Sequence, residues 1–469
     1  MLKKRVVVTG MSINTPIGDN LDSFIENLLG GKSAICNWTT LDSSKIYSKV
    51  GGDLGKYDIN AKIDSYKGKV PEGVFNRLNK LGKKSPFSIA VSLQVAVEAM
   101  LDSGYITEIK DGNNIATVVA GHNLNQKYTF ENHDVFNDDP DFVDGLFALY
   151  GLDTHHVGSV TDILQLHGPA YTVGAACASG NVALRCAVDE IQLHDVPVAM
   201  VVAPVLDYSP LDLQGMAIMG AISYKSFIDE PHKASRPYDT KREGFVPSHG
   251  AASLVLEDYD HAIARGAKIY AEILGVESSS DGNHLPQPSQ IGQARLMKRL
   301  LKNCEVKPEE VDYVSAHATS TPLGDLTELR SIKDVFGDHC KKLKINAPKS
   351  MLGHTCWSAA TVETVAAILQ MNRNELHPSI NIDNLDPEVD VDVCRNTRTK
   401  HEINILLKNS FGFGGLNSIS LIKKYKGKGS VIKYIAFFHP KFLRVMLNSF
   451  QHLVRFRNGF RMTLKHKNT

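Results

Sequence analysis

The stretch from Ala170 to Leu193 limits this chain more than any other. Ala170-Tyr171-Thr172-Val173 reads as a short buried strand, and Gly174-Ala175-Ala176-Cys177-Ala178-Ser179-Gly180 follows it without one bulky residue. Beyond it, Val182, Leu184, Cys186, Val188 and Ile191 recur at a roughly helical spacing. Small residues let the backbone turn sharply from strand to helix. The turn sets the Cys177 thiol at a helix N-terminus, where free N–H groups and the helix dipole favour the thiolate over the thiol. A buried cysteine is more often inert packing, so this reading needs partners elsewhere in the chain.

Short continuous apolar runs alternate with helical patterns along most of the sequence. Strands are expected at Arg5–Met11, Ile115–Ala120, Val198–Val202, Ala251–Glu257, Ile269–Val276, before His317, at Ile345, at Ile403–Ser410 and at Ser418–Ile422. Helices are expected at Leu21–Leu29, Pro86–Leu101, Asp325–Phe336 and Ala359–Met371. This alternation indicates an α/β fold with a buried sheet. The strand–helix order repeats broadly before and after about residue 260, giving halves 1–260 and 261–425, with a tail over 426–469. Residues 122–160, rich in Asn, Asp and His, read as an irregular surface excursion.

Composition excludes several classes. The 469 residues are 43% hydrophobic and 22% charged, ordinary for a globular protein with a sizeable core. Net charge is +1, yet twelve Lys or Arg and no Asp or Glu fall from Lys423 onward. The body keeps 40 basic against 51 acidic residues, a poor match to nucleic acid. Seven cysteines without a CxxC pair argue against a disulfide framework or zinc ribbon and fit the reducing cytoplasm. No stretch approaches a transmembrane length, and the apolar run after the basic start is too short for a signal-peptide core. The basic, aromatic-bearing tail suits either an acidic membrane or partner surface, or an extension without a role.

Three further constellations carry chemistry. In Ser315-Ala316-His317-Ala318-Thr319-Ser320-Thr321-Pro322-Leu323-Gly324-Asp325, His317 follows a strand end, and Asp325 and Glu328 lie one helical turn apart. Lys349-Ser350-Met351-Leu352-Gly353-His354 precedes an apolar helix. Phe411-Gly412-Phe413-Gly414-Gly415 is a loop whose glycines let backbone approach a ligand, and it lacks the Lys-Ser/Thr of a phosphate loop. One thiol with two imidazoles supplies a nucleophile and two donors for a developing oxyanion.

The order of these motifs resembles the beta-ketoacyl-acyl-carrier-protein synthases, condensing enzymes of the thiolase superfamily. Cys-Ala-Ser-Gly, His-Ala-Thr-Ser-Thr-Pro-Leu-Gly-Asp, Lys-Ser-Met-Leu-Gly-His and Asn-Ser-Phe-Gly-Phe-Gly-Gly carry it, from Arg5 to about Lys424. The resemblance implies a duplicated, five-layered α-β-α-β-α fold and a dimer, either of identical chains or with a related subunit. It implies that Cys177 takes an acyl group from acyl carrier protein, with an oxyanion hole at the Cys177 and Phe413 amides. His317 and His354 would stabilise the enolate formed from malonyl-carrier protein. Lys349, near Glu328 and Asp325, would orient His354. Thr319 and Thr321 would hold pantetheine, and Phe413 would gate the second substrate. No metal or other cofactor is implied, since the substrates ride on phosphopantetheine.

The chain departs from the family's pattern at Ala318, at Ser248-His249, at Gly121-His122-Asn123-Leu124-Asn125 and at Leu152-Asp153-Thr154-His155-His156. Cys356-Trp357-Ser358-Ala359 also replaces a small Gly-Ala-Ala stretch. These departures lean towards polyketide-associated branches. They keep two alternatives beside condensation: decarboxylation of malonyl-carrier protein alone, and a non-catalytic subunit shaping a partner's acyl tunnel. A Cys–His hydrolase, needing one base and a water path, fits the residues poorly.

Overall fold

A computed structural model describes residues 4–108 and 113–427. The tail from residue 428 onward, for which a membrane or partner contact was weighed, lies outside the described residues. Residues Met1–Lys424 close into one compact unit. Among the described residues, no helix is long and apolar enough to cross a membrane.

Among the described residues, ten strands make one mixed sheet. They are β1 (Val6–Asn14), β2 (Ile115–Ala120), β3 (Ala170–Val173), β4 (Val198–Ala203), β5 (Ala251–Asp258), β6 (Ala271–Ser280), β7 (Tyr313–Ser315), β8 (Lys344–Asn346), β9 (Ile405–Gly412) and β10 (Leu416–Lys424). Their order is β8-β7-β9-β10-β6-β1-β5-β4-β2-β3. In the first half, β1, β5 and β4 pair antiparallel, and β4, β2 and β3 pair parallel. The second half repeats the pattern: β6, β10 and β9 antiparallel, then β9, β7 and β8 parallel. The halves join where β1 meets β6 antiparallel, over Val6↔Ile273, Val7↔Glu272 and Val8↔Ala271. Strand n therefore corresponds to strand n + 5.

The helices repeat as well. Helices α1 (Phe87–Asp102), α2 (Thr154–Leu164) and α3 (Ser179–Leu193) correspond to α4 (Gln290–Asn303), α5 (Pro322–Phe336) and α6 (Ala359–Arg373). The hydrophobic clusters show the layering. One cluster joins Ala183, Leu184 and Ala187 of α3 and Val362, Val365 and Ala366 of α6 to both sheet halves, so this helix pair is the middle layer. A second packs α1 and α2 on the outer face of the first half, and a third packs α4 and α5 on the outer face of the second. The result is an α-β-α-β-α stack, as the sequence resemblance implied.

Two expectations fail. Residues 122–160 are not irregular: they form helices Gln126–Asp138, Phe147–Tyr150 and Thr154–Leu164. The last buries Val157, Val160, Ile163 and Leu164 against α1, a spacing hidden in sequence by the interleaved Thr, His and Asp. Strand β3 is also not buried; its residues are exposed or half-buried. Among the described residues it is the outermost strand and pairs only with β2, which leaves its other edge open there.

Candidate active site

The turn between β3 and α3 is tight. Ala176 adopts φ +46, a left-handed conformation unusual for a residue with a side chain. Ala175 and Cys177 form a bridge across it. Ser179 clamps the turn, its Oγ accepting from the Ala175 N–H at 2.8 Å and donating to the Ala176 carbonyl at 2.6 Å. Cys177 is 4% exposed, and its sulfur lies against the N–H groups of Cys177 itself and of Phe413. Gly412 makes this approach possible: a Cβ there would stand 2.6 Å from the Ala175 carbonyl and 3.3 Å from the Cys177 nitrogen.

The thiolate expected from the helix terminus does not prevail. Burial pushes the Cys177 thiol up to about 12, against the pull of the Lys349 charge and the two backbone N–H groups. At neutral pH the resting nucleophile is a thiol.

His354 occupies the position in the second half that Cys177 holds in the first, between an edge strand and a middle helix. Its Nδ1 accepts from the Cys356 N–H at 3.1 Å, which assigns the proton of the neutral ring to Nε2. That Nε2 is buried and has no partner among the described residues. His317 follows β7, and its ring centroid stands 5.4 Å from that of His354 at an interplanar angle of 83°. Lys349 Nζ lies 3.4 Å from His317 Nδ1 and donates to the His317 carbonyl at 2.7 Å. An ammonium can only donate, so this ring too carries its proton on Nε2. Both imidazoles are held well below their ordinary pKa, first by burial and then by the Lys349 and Lys408 charges, with each other's proximity adding at His317. Two neutral rings thus present N–H donors.

The supporting charges differ from the sequence expectation. Lys349 does not orient His354 and does not pair with Glu328 or Asp325. It reaches His317 and forms a buried ion pair with Glu363. Glu363 Oε2 also lies 2.7 Å from Lys408 Nζ, making a Lys349–Glu363–Lys408 triad that is at most 2% exposed at each side chain. Lys408 in turn donates to the Asn409 carbonyl and, at 2.8 Å, to Ser410 Oγ. Glu328 fixes the backbone beside His317, accepting from the His317 N–H at 2.8 Å, the Ala318 N–H at 2.7 Å and Asn409 Nδ2 at 2.8 Å. Asp325 stands further off, accepting from the Ser320, Thr321 and Tyr238 N–H groups and facing Arg242 at 3.7 Å. Burial raises its carboxyl to about 7, against the Arg242 charge.

The sequence reading missed Glu363 and Lys408. Each was visible as a lone charge inside an apolar run, at the middle of α6 and of β9.

Cys177, His317, His354, Thr319, Thr321 and Phe413 line one cavity of about 350 Å³. Thr321 also caps α5 through the Gly324 N–H and lies 3.1 Å from Thr319 Oγ1. The Phe413 ring packs on Phe245, centroids 6.3 Å apart. Three groups distant in sequence therefore meet on one cavity wall: a thiol beside two backbone donors, and two neutral imidazoles.

Two copies of one α/β unit, sharing a cysteine from the first and two histidines from the second, define a condensing enzyme of the thiolase-like fold. The models for the beta-ketoacyl synthase N-terminal and C-terminal domains match residues 3–262 and 270–383. A 3-oxoacyl-[acyl-carrier-protein] synthase 2 from Coxiella burnetii is 32% identical over 90% of this chain and 99% of its own length. A polyketide biosynthesis malonyl-ACP decarboxylase from Bacillus subtilis is 29% identical over 90% of this chain and 97% of its own. Among solved structures, a type II polyketide acyl-carrier protein in complex with its ketosynthase matches through one chain at a TM-score of 0.79 and 25% identity, over 90% of this chain and 100% of that one. The chain belongs to the beta-ketoacyl synthase family.

Proposed function

We propose that the chain is a 3-oxoacyl-[acyl-carrier-protein] synthase that joins an acyl group to a malonyl-derived unit by decarboxylative Claisen condensation. The observation that carries this reading is the pairing of a backbone-cradled thiol with two Nε2–H donors on one cavity. A hydrolase would need a base and a water path at the thiol. Here both rings carry Nε2–H, and the cavity is walled by Phe245, Phe411 and Phe413.

In the first step Cys177 Sγ attacks the carbonyl carbon of an acyl thioester on the pantetheine of a carrier protein. The Cys177 and Phe413 N–H groups take the oxyanion. The carrier thiol leaves with the proton that Cys177 gives up, and the acyl group rests on sulfur. In the second step malonyl-carrier protein fills the emptied cavity with its thioester oxygen between His317 and His354. The electron pair of the bond to carbon dioxide moves into the enolate, whose negative oxygen the two Nε2–H donors stabilise without a metal. The enolate carbon attacks the acyl-cysteine, and collapse of the tetrahedral adduct expels the Cys177 thiolate, which takes up a proton. Glu328 holds His317 by its backbone and Lys349 holds its ring, so the donors are in place before charge develops. Thr319 and Thr321 hydrogen-bond the arm, and Phe413 separates acyl from malonyl space.

The partner is acyl carrier protein. The assembly is a dimer, supported by the open edge of β3 and by Phe136, Phe142, Leu146, Leu149 and Leu152, all exposed on the excursion beside it. Purified protein incubated with acetyl- and malonyl-carrier protein should give the acetoacetyl-carrier protein. Acetyl-carrier protein and carbon dioxide as the sole products would refute condensation and leave a decarboxylase.

A further inference from the structure

Lys408 lies in the middle of β9, directly after Ile405, Leu406 and Leu407, and is fully buried. Stability alone does not explain a lysine there, because buried ion pairs can often be replaced by apolar residues without loss. In the sheet Lys408 is in register with Ser315 of β7, two residues before His317. Its Nζ meets three partners: Glu363 Oε2 at 2.7 Å, Ser410 Oγ at 2.8 Å and the Asn409 carbonyl. Three partners match the three hydrogens of an ammonium.

Those contacts close a circuit about His317. It starts at Lys349, beside the imidazole, and runs through Glu363 to Lys408. From Lys408 it passes to the Asn409 carbonyl, and the Asn409 side chain donates to Glu328 at 2.8 Å. Glu328 returns it to the His317 and Ala318 N–H groups. The circuit holds two ammonium groups and two carboxylates, so it is neutral with Lys408 and one negative charge in excess without it. Asp325, the other buried carboxyl of α5, faces Arg242 instead.

Resting on the malonyl step of the reading above, we propose that Lys408 is a positioning residue that keeps both imidazoles as singly protonated Nε2–H donors. A second proton on either ring would have to sit on Nδ1. At His317 that nitrogen faces the Lys349 ammonium, and at His354 it accepts from the Cys356 N–H. Protonation would therefore break the contact that aims each ring. The Lys408 charge opposes that proton at both rings, alongside burial and Lys349, and at His317 the neighbouring His354 adds to the opposition. Without Lys408 the excess negative charge of the circuit draws the proton in. The other titratable groups beside the rings are the Cys177 and Cys356 thiols, both held uncharged by burial.

The test is carbon dioxide release from malonyl-carrier protein between pH 5 and 8.5, by wild type and by Lys408→Met, each normalised to its own plateau. Wild type should hold its plateau to well below about pH 6.5, the ordinary imidazole value. In Lys408→Met the acid limb should move up by about one pH unit, a tenfold gain in proton affinity at the rings. The deficit of the variant should thus be greatest in acid and narrow towards pH 8.5. Acetyl loading of Cys177, which does not use the rings, is the control: a merely structural Lys408 would slow loading and carbon dioxide release alike at every pH. A limb within about 0.3 pH unit of wild type, or a loss uniform across pH, overturns the role of Lys408 while leaving condensation standing. If Lys408→Met does not fold, Lys408→Gln is read the same way; failure of both to fold makes Lys408 a structural support and overturns the proposal. No carbon dioxide from wild type at any pH overturns the condensation reading and the role of Lys408 with it.

Discussion

Glu363 is the perturbation whose cost follows most directly from the structure. It sits 2% exposed between Lys349 and Lys408, which are 1% and 0% exposed. Glu363→Gln keeps the shape and removes the one carboxylate contacting both ammonium groups. Breaking a buried ion pair from one side costs about 3–5 kcal/mol, because the remaining charge is left without compensation. Unfolding entropy of about 2.1 cal/mol/K per residue over the compact unit of 424 residues is about 0.9 kcal/mol/K, so the melting temperature should fall by about 3–6 °C at pH 7. The pH dependence has a definite sign. Burial already holds Lys408 below its ordinary pKa, against the pull of Glu363. Without that carboxylate the folded state binds its proton less readily still, while the unfolded lysine keeps a pKa of about 10.4. Between those two values the unfolded chain carries more protons, so stability rises with pH. The deficit of the variant should therefore be greatest near neutrality and narrow as pH climbs towards 10. Scanning fluorimetry of both proteins from pH 6.5 to 10 measures this. A drop below about 1 °C at pH 7, or a gap that widens with pH, would refute the triad as a charge-compensated unit. Lys408→Met, which leaves the Lys349–Glu363 pair intact, should cost less than Glu363→Gln in the same assay.

Cys177→Ala should abolish the acyl adduct by mass spectrometry and lower condensation at least about a thousandfold, with the melting temperature little changed; product at the wild-type rate would remove the nucleophile. His354→Ala, lacking the Nε2–H donor, should slow decarboxylation of malonyl-carrier protein by about a hundredfold to a thousandfold while Cys177 still takes an acyl group. Alkylation of Cys177 by iodoacetamide should rise about tenfold per pH unit from 7 to 9, because a thiol raised to about 12 by burial ionises only above that range; a plateau above pH 8 would contradict it. Gly412→Ala, whose methyl group would press on the Ala175 carbonyl, should part the two oxyanion donors and slow acyl loading about a hundredfold, measured as a burst rate.

Strong local signals made the site legible and weak ones hid its supports. The run of small residues around Cys177 has few foldable meanings, and the structure turns there as expected. His317 and His354 stood beside distinctive polar motifs. The ion partner of Lys349 could not be chosen from sequence, because Glu328 and Glu363 are both carboxylates on helices and only the path of α6 decides between them. The state of the thiol was misjudged for a related reason: a helix terminus is a local property, whereas the burial that outweighs it depends on the whole core. In residues 122–160 polar side chains masked a helical period that serves packing on one narrow face. The exposure of β3 depends on strand order, which no property of Ala170–Val173 alone encodes.

The join between the repeated units is narrow, three residue pairs between β1 and β6, so the pair α3 and α6 must act as the rivet. Where those helices touch, a methyl group at Gly180 would fall 2.5 Å from Thr361 Oγ1. Sulfur rides on one plate and the imidazoles on the other. A spacer driven into that rivet would leave each plate sound and pull the reacting groups out of register together, which makes a single glycine, touching no substrate, the alignment pin of the catalyst.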